Sequence, residues 1–299
     1  MRMNETLDLA VIGGSYAGMS AALQVARARR RVAVIDAGQR RNRFAAASHG
    51  FLGQDGRAPG AIAEDAKVQL LAYPTLQWID ARVLAAKRID DELFELALEG
   101  RTLRAKRLVL ASGVVDELPA IDGLTQRWGK SVFHCPYCHG YELQLGRIGV
   151  LAGSPLAMHH ALMLPDWGKV TLFLNGAFEP DAQQQQALRK RGVAVESAPV
   201  QRISDIATVE LADGTSVECD GLFIQSRTDL PDTLAEQLGC RLQETPTGHH
   251  IARDELLQTS VPGVFACGDA GRSFGNVAIS VGDGALAGAM AHRSLIFGL

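Results

Sequence analysis

The stretch Leu7-Asp8-Leu9-Ala10-Val11-Ile12-Gly13-Gly14-Ser15-Tyr16-Ala17-Gly18 decides the fold. A short apolar run ends in glycines and passes into alanine-rich sequence, Ala17 to Ala28, which reads as strand, tight turn and helix. A second apolar run, Arg31 to Ile35, closes on Asp36 and completes a βαβ unit of the dinucleotide-binding kind. Ser15 stands where a G-x-G-x-x-G fingerprint has its middle glycine. A residue this small still lets the backbone approach a pyrophosphate at the helix N-terminus, where free amides and the helix dipole favour negative charge. Asp36 follows Gly13 by 23 residues, the place of a carboxylate that accepts hydrogen bonds from an adenosine ribose. Glycine turns also serve structure alone, so the cofactor reading rests on further signals downstream.

A polar loop, Gly38 to Gly60, leads to a helical stretch (Ile62 to Ala72) and then to alternating segments suited to strands, ending at Leu108 to Gly113. Around Pro119 the character changes. A second βαβ-like unit runs from Arg147–Leu151 through a helix near Ala157 to Leu164 and back as Val170 to Leu174. Near Gln243 to His250 the chain leaves that unit, and Gly263 to Asp269 with a closing helix, Val277 to Phe297, returns to the first. The expected architecture is α/β, with two dinucleotide-binding, Rossmann-like domains, the second inserted into the first. Residues 1–116 and 246–299 form the discontinuous domain, and residues 117–245 form the insert carrying the cysteine pair. The basic run Arg27, Arg29, Arg30 and Arg31 is the solvated end of a helix, favoured by the dipole. Gln183 to Gln186 mark a solvated helix face.

A chain of 299 residues, 47% hydrophobic and 21% charged, is long enough for two domains. Its formal net charge of −3 provides no global basic field, which argues against nucleic acid and anionic membrane as partners. No apolar run approaches the ~20 residues that span a bilayer. The segment Met1 to Asp8 carries acids and no signal-peptide core, so a cytoplasmic location is expected. Of five cysteines only Cys135 and Cys138 are close, in C-x-x-C spacing. Zinc would need two further ligands. Cys219, Cys240 and Cys267 stand alone, and although His134 and His139 could complete a site, redox use without metal is the favoured reading.

Two further segments strengthen the cofactor reading. Ala111-Ser112-Gly113 follows an apolar strand, and Gly263-Val264-Phe265-Ala266-Cys267-Gly268-Asp269 places a carboxylate at a strand end. The order of glycine loop, A-S-G, C-x-x-C and G-V-F-A-x-G-D across nearly the whole chain resembles the low-molecular-weight thioredoxin reductases. The resemblance implies FAD as cofactor and a homodimer. It assigns FAD contacts to Gly13, Gly14, Ser15, Ala17, Gly18, Asp36, Asn42, His49, Val83, Ala111, Ser112, Gly113, Gly268, Asp269, Val277 and Ala278. Asp269 would hold the flavin ribityl chain, although a helix-capping role is open to it as well. The closing helix would point its N-terminus at the flavin pyrimidine and stabilise charge on the reduced ring. Cys267 reads as inert packing.

The string His134-Cys135-Pro136-Tyr137-Cys138-His139-Gly140-Tyr141-Glu142 carries the redox chemistry. A C-x-x-C pair closes a small disulfide ring, one thiolate being stabilised while the other exchanges with substrate. By resemblance Cys138 faces the flavin and Cys135 exchanges with substrate sulfur. Thioredoxin reductases have an aspartate after the second cysteine; here stands His139, and a histidine titrating near neutral pH suits general-base work on a thiol. His134 is a second candidate. The whole string is more similar to the FAD-dependent dithiol oxidases of the gliotoxin and holomycin type, which close disulfides in small natural products and return electrons to molecular oxygen as hydrogen peroxide.

A second departure points the same way. A working NADPH domain has a G-x-G-x-x-A turn after its first strand and arginines after its second. Here the turn is Ala152-Gly153-Ser154-Pro155-Leu156-Ala157, and Leu174-Asn175-Gly176 follow the second strand. Pro155 lacks an amide donor, and Ala152 and Ser154 crowd the turn. The expected partners are therefore a small-molecule dithiol and oxygen. The alternatives are a reductase that passes electrons from NAD(P)H or another donor to a thioredoxin-like protein, and a redox sensor that holds FAD without turnover.

Overall fold

The computed structural model describes residues 6–298; Met1–Glu5 of the N-terminal segment and Leu299 lie outside the described residues. The chain forms two compact units. The first comprises the residues up to Arg43, Phe51–Val115 and Thr228 onward; the second comprises Phe44–Gly50 and Asp116–Arg227.

Unit 1 begins with β1 (Leu7–Ile12), α1 (Tyr16–Arg27) and β2 (Val32–Asp36), then α2 (Pro59–Leu71) and β3 (Leu76–Asp80). Every residue of β1 is buried, as in a central parallel strand covered on both faces. β1 pairs in parallel with β2 on one side and with the long strand β6 (Arg101–Leu110) on the other. β6 is shared along its length. Its first half pairs antiparallel with β5 (Phe94–Leu98), which is backed by β4 (Ala85–Arg88), and its last residues, Leu108–Leu110, pair in parallel with Val264–Ala266. The G-V-F-A segment is thereby delivered next to the strand that precedes Ala111-Ser112-Gly113.

Unit 2 has its own parallel sheet, with strands in the order 194–196, 169–173, 147–151, 221–224 and 132–133. It carries the short helices α3 (Pro136–His139), α4 (Ala157–Met163) and α5 (Ala182–Lys190). Asp181 caps α5 in a capping box with Gln184, so part of the glutamine run serves as a helix start. The cores beneath this sheet are aliphatic and aromatic, with Phe173 and Phe223 fully buried.

The chain re-enters unit 1 at Thr228, ahead of the return expected near residue 246. The reason is the packing of α6 (Leu234–Gln237): Leu234, Ala235, Leu238 and Cys240 are buried in the core that covers one face of the unit 1 sheet. The other large difference lies in the polar loop after β2, where Phe44–Gly50 groups with unit 2. Gly129 has φ +73°, and a Cβ there would stand 2.8 Å from the Cβ of Phe44, so the loop docks on a residue that must lack a side chain.

α7 (Val277–Phe297) lies along α1. Contact is made backbone to backbone, because a Cβ on Gly284 would meet the Ala17 carbonyl and one on Gly288 would stand 2.9 Å from the Cα of Ala21. Inside a helix Ala is favoured over Gly by ~1 kcal/mol, whereas forcing a methyl against fixed backbone costs ~1–3 kcal/mol. Gly288→Ala is therefore expected to destabilise the protein by ~1 kcal/mol net, read as a lower urea midpoint with an unchanged m-value; a raised midpoint would show that the two helices separate at no cost.

Candidate active site

In unit 1 the glycine loop is built by close approach. Gly13 has φ +104°, and a Cβ there would collide with the Ala111 carbonyl and lie 3.0 Å from the Ser112 amide nitrogen. A Cβ on Gly18 would collide with the Gly13 carbonyl, and one on Gly268 would stand 2.8 Å from the Ala17 Cβ. Gly113 also has positive φ, +72°. Gly13, Gly14, Ser15, Ala17 and Gly18, the Ala111-Ser112-Gly113 turn and Gly268-Asp269 are thus brought together from three distant parts of the chain. Asp36 Oδ1 accepts the Gly14 N–H at 3.1 Å, so this carboxylate also shapes the loop. Asn42 Nδ2 donates to the Tyr16 hydroxyl at 3.2 Å, which in turn donates to the Pro59 carbonyl at 3.0 Å. Val83 is buried in the core of this unit.

Asp269 is not a helix cap. Its Oδ2 accepts from Arg41 Nη1 at 2.9 Å, both side chains being about one-fifth exposed. The N-cap of α7 is Asn276, whose Oδ1 accepts the Ile279 N–H at 2.8 Å and fixes the turn that contains Val277 and Ala278. Asp283, buried in α7, is paired with Arg253 at 2.9 Å and Arg272 at 3.1 Å. Arg41 was not singled out from sequence, where it stands in an arginine-rich polar loop with no spacing to distinguish it.

In unit 2, Cys135 and Cys138 form a disulfide, with Cα atoms 5.3 Å apart. Pro136 opens the single turn of α3 between them. Cys135 is buried and Cys138 half-buried, so residue exposure does not by itself mark Cys135 as the sulfur that substrate reaches. Gly140 closes the motif against Trp167, whose ring lies 2.8 Å from where a Cβ would be. Tyr137, 64% exposed, meets the same indole edge-on at 5.4 Å. His134 lies 5.8 Å from the Trp128 ring.

His139 stacks on Phe133 with ring centroids 4.2 Å apart and planes 18° apart. Burial, reinforced by the neighbouring His49 imidazole, lowers its pKa from 6.5 to about 4. The expectation that it titrates near neutral pH is thereby corrected: the ring is neutral at pH 7. His49 groups with unit 2, its Nε2 3.5 Å from Glu142 Oε1. The remaining thiols are held protonated. Burial pushes Cys219 and Cys267 up to about 12 and raises Cys240. No cluster of three or more metal-ligating side chains occurs among the described residues, and no helix among them is long and apolar enough to cross a membrane.

The family model described as pyridine nucleotide-disulphide oxidoreductase matches residues 7–284. The chain belongs to this family. It is 35% identical over 315 aligned residues to the thioredoxin reductase tcpT of Claviceps purpurea (strain 20.1), covering 99% of this chain and 96% of that one. Among solved structures, an oxidoreductase from Agrobacterium tumefaciens is 54% identical with a TM-score of 0.97, covering 99% of this chain and all of the other. HlmI is 37% identical with a TM-score of 0.92, covering 99% and 95%. The protein is a thioredoxin-reductase-like oxidoreductase of the pyridine nucleotide-disulphide family and an FAD-binding flavoprotein.

Unit 1 fits that cofactor. α1 begins at Ser15 with no side-chain cap and no acid in its first turn, leaving the amide donors of a 12-residue helix open to an anion. α4 too lacks a side-chain cap and an acid in its first turn, but the donors of its turn differ. Pro155 has no N–H, the Leu156 N–H is taken by Ser154 Oγ at 3.3 Å, and the Ala157 N–H by the Ser154 carbonyl at 3.1 Å. After the second strand, Leu174 is buried in the core and Asn175 Oδ1 accepts the Val200 N–H at 2.8 Å.

A further histidine of unit 2 shares the behaviour of His139. His160 on α4 is 7% exposed, its Nδ1 has no hydrogen-bond partner among the described residues, and burial followed by His159 lowers its pKa to about 4. The unfolded chain takes up protons near pH 6.5 that the folded chain refuses until about pH 4, so stability is full above that window and falls as pH drops through it. His160→Leu, which removes one such group and an unsatisfied atom, is expected to lose less stability between pH 7 and pH 4.5 than the parent. Parallel pH slopes in thermal unfolding would rule this out.

Proposed function

We propose that the protein is an FAD-dependent dithiol oxidase that forms a disulfide in a small-molecule substrate and passes the electrons to molecular oxygen. The observation that carries this reading is the second glycine turn: Pro155 has no N–H, the Leu156 and Ala157 amides are already bonded within the turn, and Leu174, Asn175 and Gly176 stand where arginines would hold a 2′-phosphate. A charge-assisted Arg–phosphate contact has no substitute among those three residues. The resemblance of the C-P-Y-C-H-G-Y-E string to the gliotoxin- and holomycin-type oxidases supports the same direction. A homodimer in the cytoplasm belongs to this reading.

Gly13, Gly14, Ser15 and Gly18 would hold the pyrophosphate of FAD, Asp36 its adenosine ribose and Asp269 its ribityl chain, with Arg41 fixing the Asp269 carboxylate. When bound, FAD supplies an acceptor for the electron pair of the dithiol and a donor of that pair to oxygen. The chain's own residues handle sulfur and protons. A substrate thiol gives its proton to His139 and attacks Cys135; the Cys135–Cys138 bond breaks, and Cys138 leaves as thiolate. The second substrate thiol then attacks the substrate sulfur of the mixed disulfide, and Cys135 is released. The balance is dithiol plus O2 giving disulfide plus hydrogen peroxide.

A reductase reading is favoured by the match to the pyridine nucleotide-disulphide oxidoreductase family and by the relatives that, like the Claviceps protein, are called thioredoxin reductases. The two are separated by one assay with dithiol, air and NADPH together. Peroxide is expected in proportion to disulfide formed, with NADPH unconsumed and unbound. NADPH consumption matched to disulfide reduction would overturn the oxidase reading. Among variants, Asp269→Ala is expected to release FAD more readily than Asp36→Ala. Cys135→Ser and Cys138→Ser should both abolish turnover, and Cys135→Ser alone should show long-wavelength charge-transfer absorbance from the remaining thiolate. That band in Cys138→Ser would reverse the roles of the two cysteines.

A further inference from the structure

His139 follows Cys138 directly and is neutral, and a base with a pKa near 4 keeps only about one proton per thousand rings at pH 7. Each dithiol oxidised nevertheless gives up two protons, which must be held and then handed on. Seven residues of chain from the unit 1 segment, Phe44–Gly50, pack within unit 2 and bring a second imidazole to the motif. His49 stands with its Nε2 3.5 Å from Glu142 Oε1, a residue of the C-x-x-C-H-G-Y-E string itself, and its charge is felt by His139. The pair is only partly screened from water, with side chains 21% and 41% exposed. Titratable groups set against His49 include Glu142, from the turn Tyr141–Leu143, and His139, from α3. Arg43 of the same loop is turned to the Arg40 carbonyl at 2.8 Å.

We infer that His49 and Glu142 are positioning residues of the dithiol centre that accept, through His139, the proton released from a substrate thiol and pass it to solvent. The Glu142 carboxylate 3.5 Å from Nε2 gives the His49 ring a hydrogen-bonding partner on the side facing the motif. In the first exchange the substrate S–H bond breaks, the substrate–Cys135 bond forms, the Cys135–Cys138 bond breaks with its electron pair on Cys138, and the proton moves from His139 to His49. No oxidant beyond the disulfide is needed. The inference rests on the dithiol reading of the motif but not on oxygen.

The test uses the FAD-loaded protein under anaerobic conditions with dithiothreitol as probe. Samples are quenched with N-ethylmaleimide, and the thiols released from Cys135 and Cys138 are counted by mass spectrometry across pH 5.5–9. His49→Gln is expected to slow disulfide reduction about tenfold at pH 7, less than the ~10²-fold or more that a base in direct contact contributes, because His49 acts through His139, and to flatten its pH profile. Glu142→Gln should move the rising limb of that profile, and Glu142→Asp should restore it, all three keeping the parent's thermal midpoint. Parent-like profiles in His49→Gln and Glu142→Gln would overturn the relay, as would a parent protein that no dithiol reduces. A parent that is reduced with the expected profile but makes no peroxide in air leaves the relay standing and sinks only the oxygen step.

Discussion

The contact on which the rest depends is the meeting of bare backbone around the first turn of α1. Gly13 lies against the Ala111 carbonyl, Gly18 against the Gly13 carbonyl, Gly268 against Ala17, and Gly284 and Gly288 against the backbone of α1. Each closeness is available only to a residue without a side chain. Together they draw the ends of three parallel strands and the start of the closing helix onto one helix N-terminus. The open amides of that turn, the Asp36 carboxylate and the Arg41–Asp269 pair then lie within one unit as a consequence of packing.

The two glycine turns of the chain differ in the backbone donors they leave open. Both follow a buried parallel strand and precede a helix. In the first, the helix is long and uncapped. In the second it is short, a proline removes one donor, and a serine hydroxyl accepts another. The fold is retained in unit 2 because its core needs only the aliphatic and aromatic residues of the sheet and α4. Two amides of this turn, those of Leu156 and Ala157, are bonded to Ser154.

Much of this was legible in the sequence because it depends on local pattern. Arg147–Leu151 and Val277–Phe297 form a strand and a helix with the bounds that hydrophobic runs suggest, and the G-V-F-A segment returns to the first unit, where it pairs with β6. What escaped depends on distant partners. Residues 228–245 are expected in the inserted domain, and only the burial of Leu234 and Leu238 assigns part of them to unit 1. Arg41 is an ordinary arginine until Asp269 arrives from 228 residues away. The proton affinity of His139 is set by Phe133 beneath it and His49 beside it, neither of which can be read from the residue that follows a cysteine.

The excursion of Phe44–Gly50 has a consequence for how this architecture can be inherited. His49 and His139 are 90 residues apart, yet the loop that carries one is packed with the motif that carries the other. A recombination that exchanged only the contiguous insert, Asp116–Arg227, would bring in a new cysteine motif while leaving the old loop in place. Such hybrids would have intact cores and mismatched partners at Gly129–Phe44 and Glu142–His49. The unit of descent for the redox centre is therefore a pair of separated segments, and sequence change in one is expected to be tracked by change in the other.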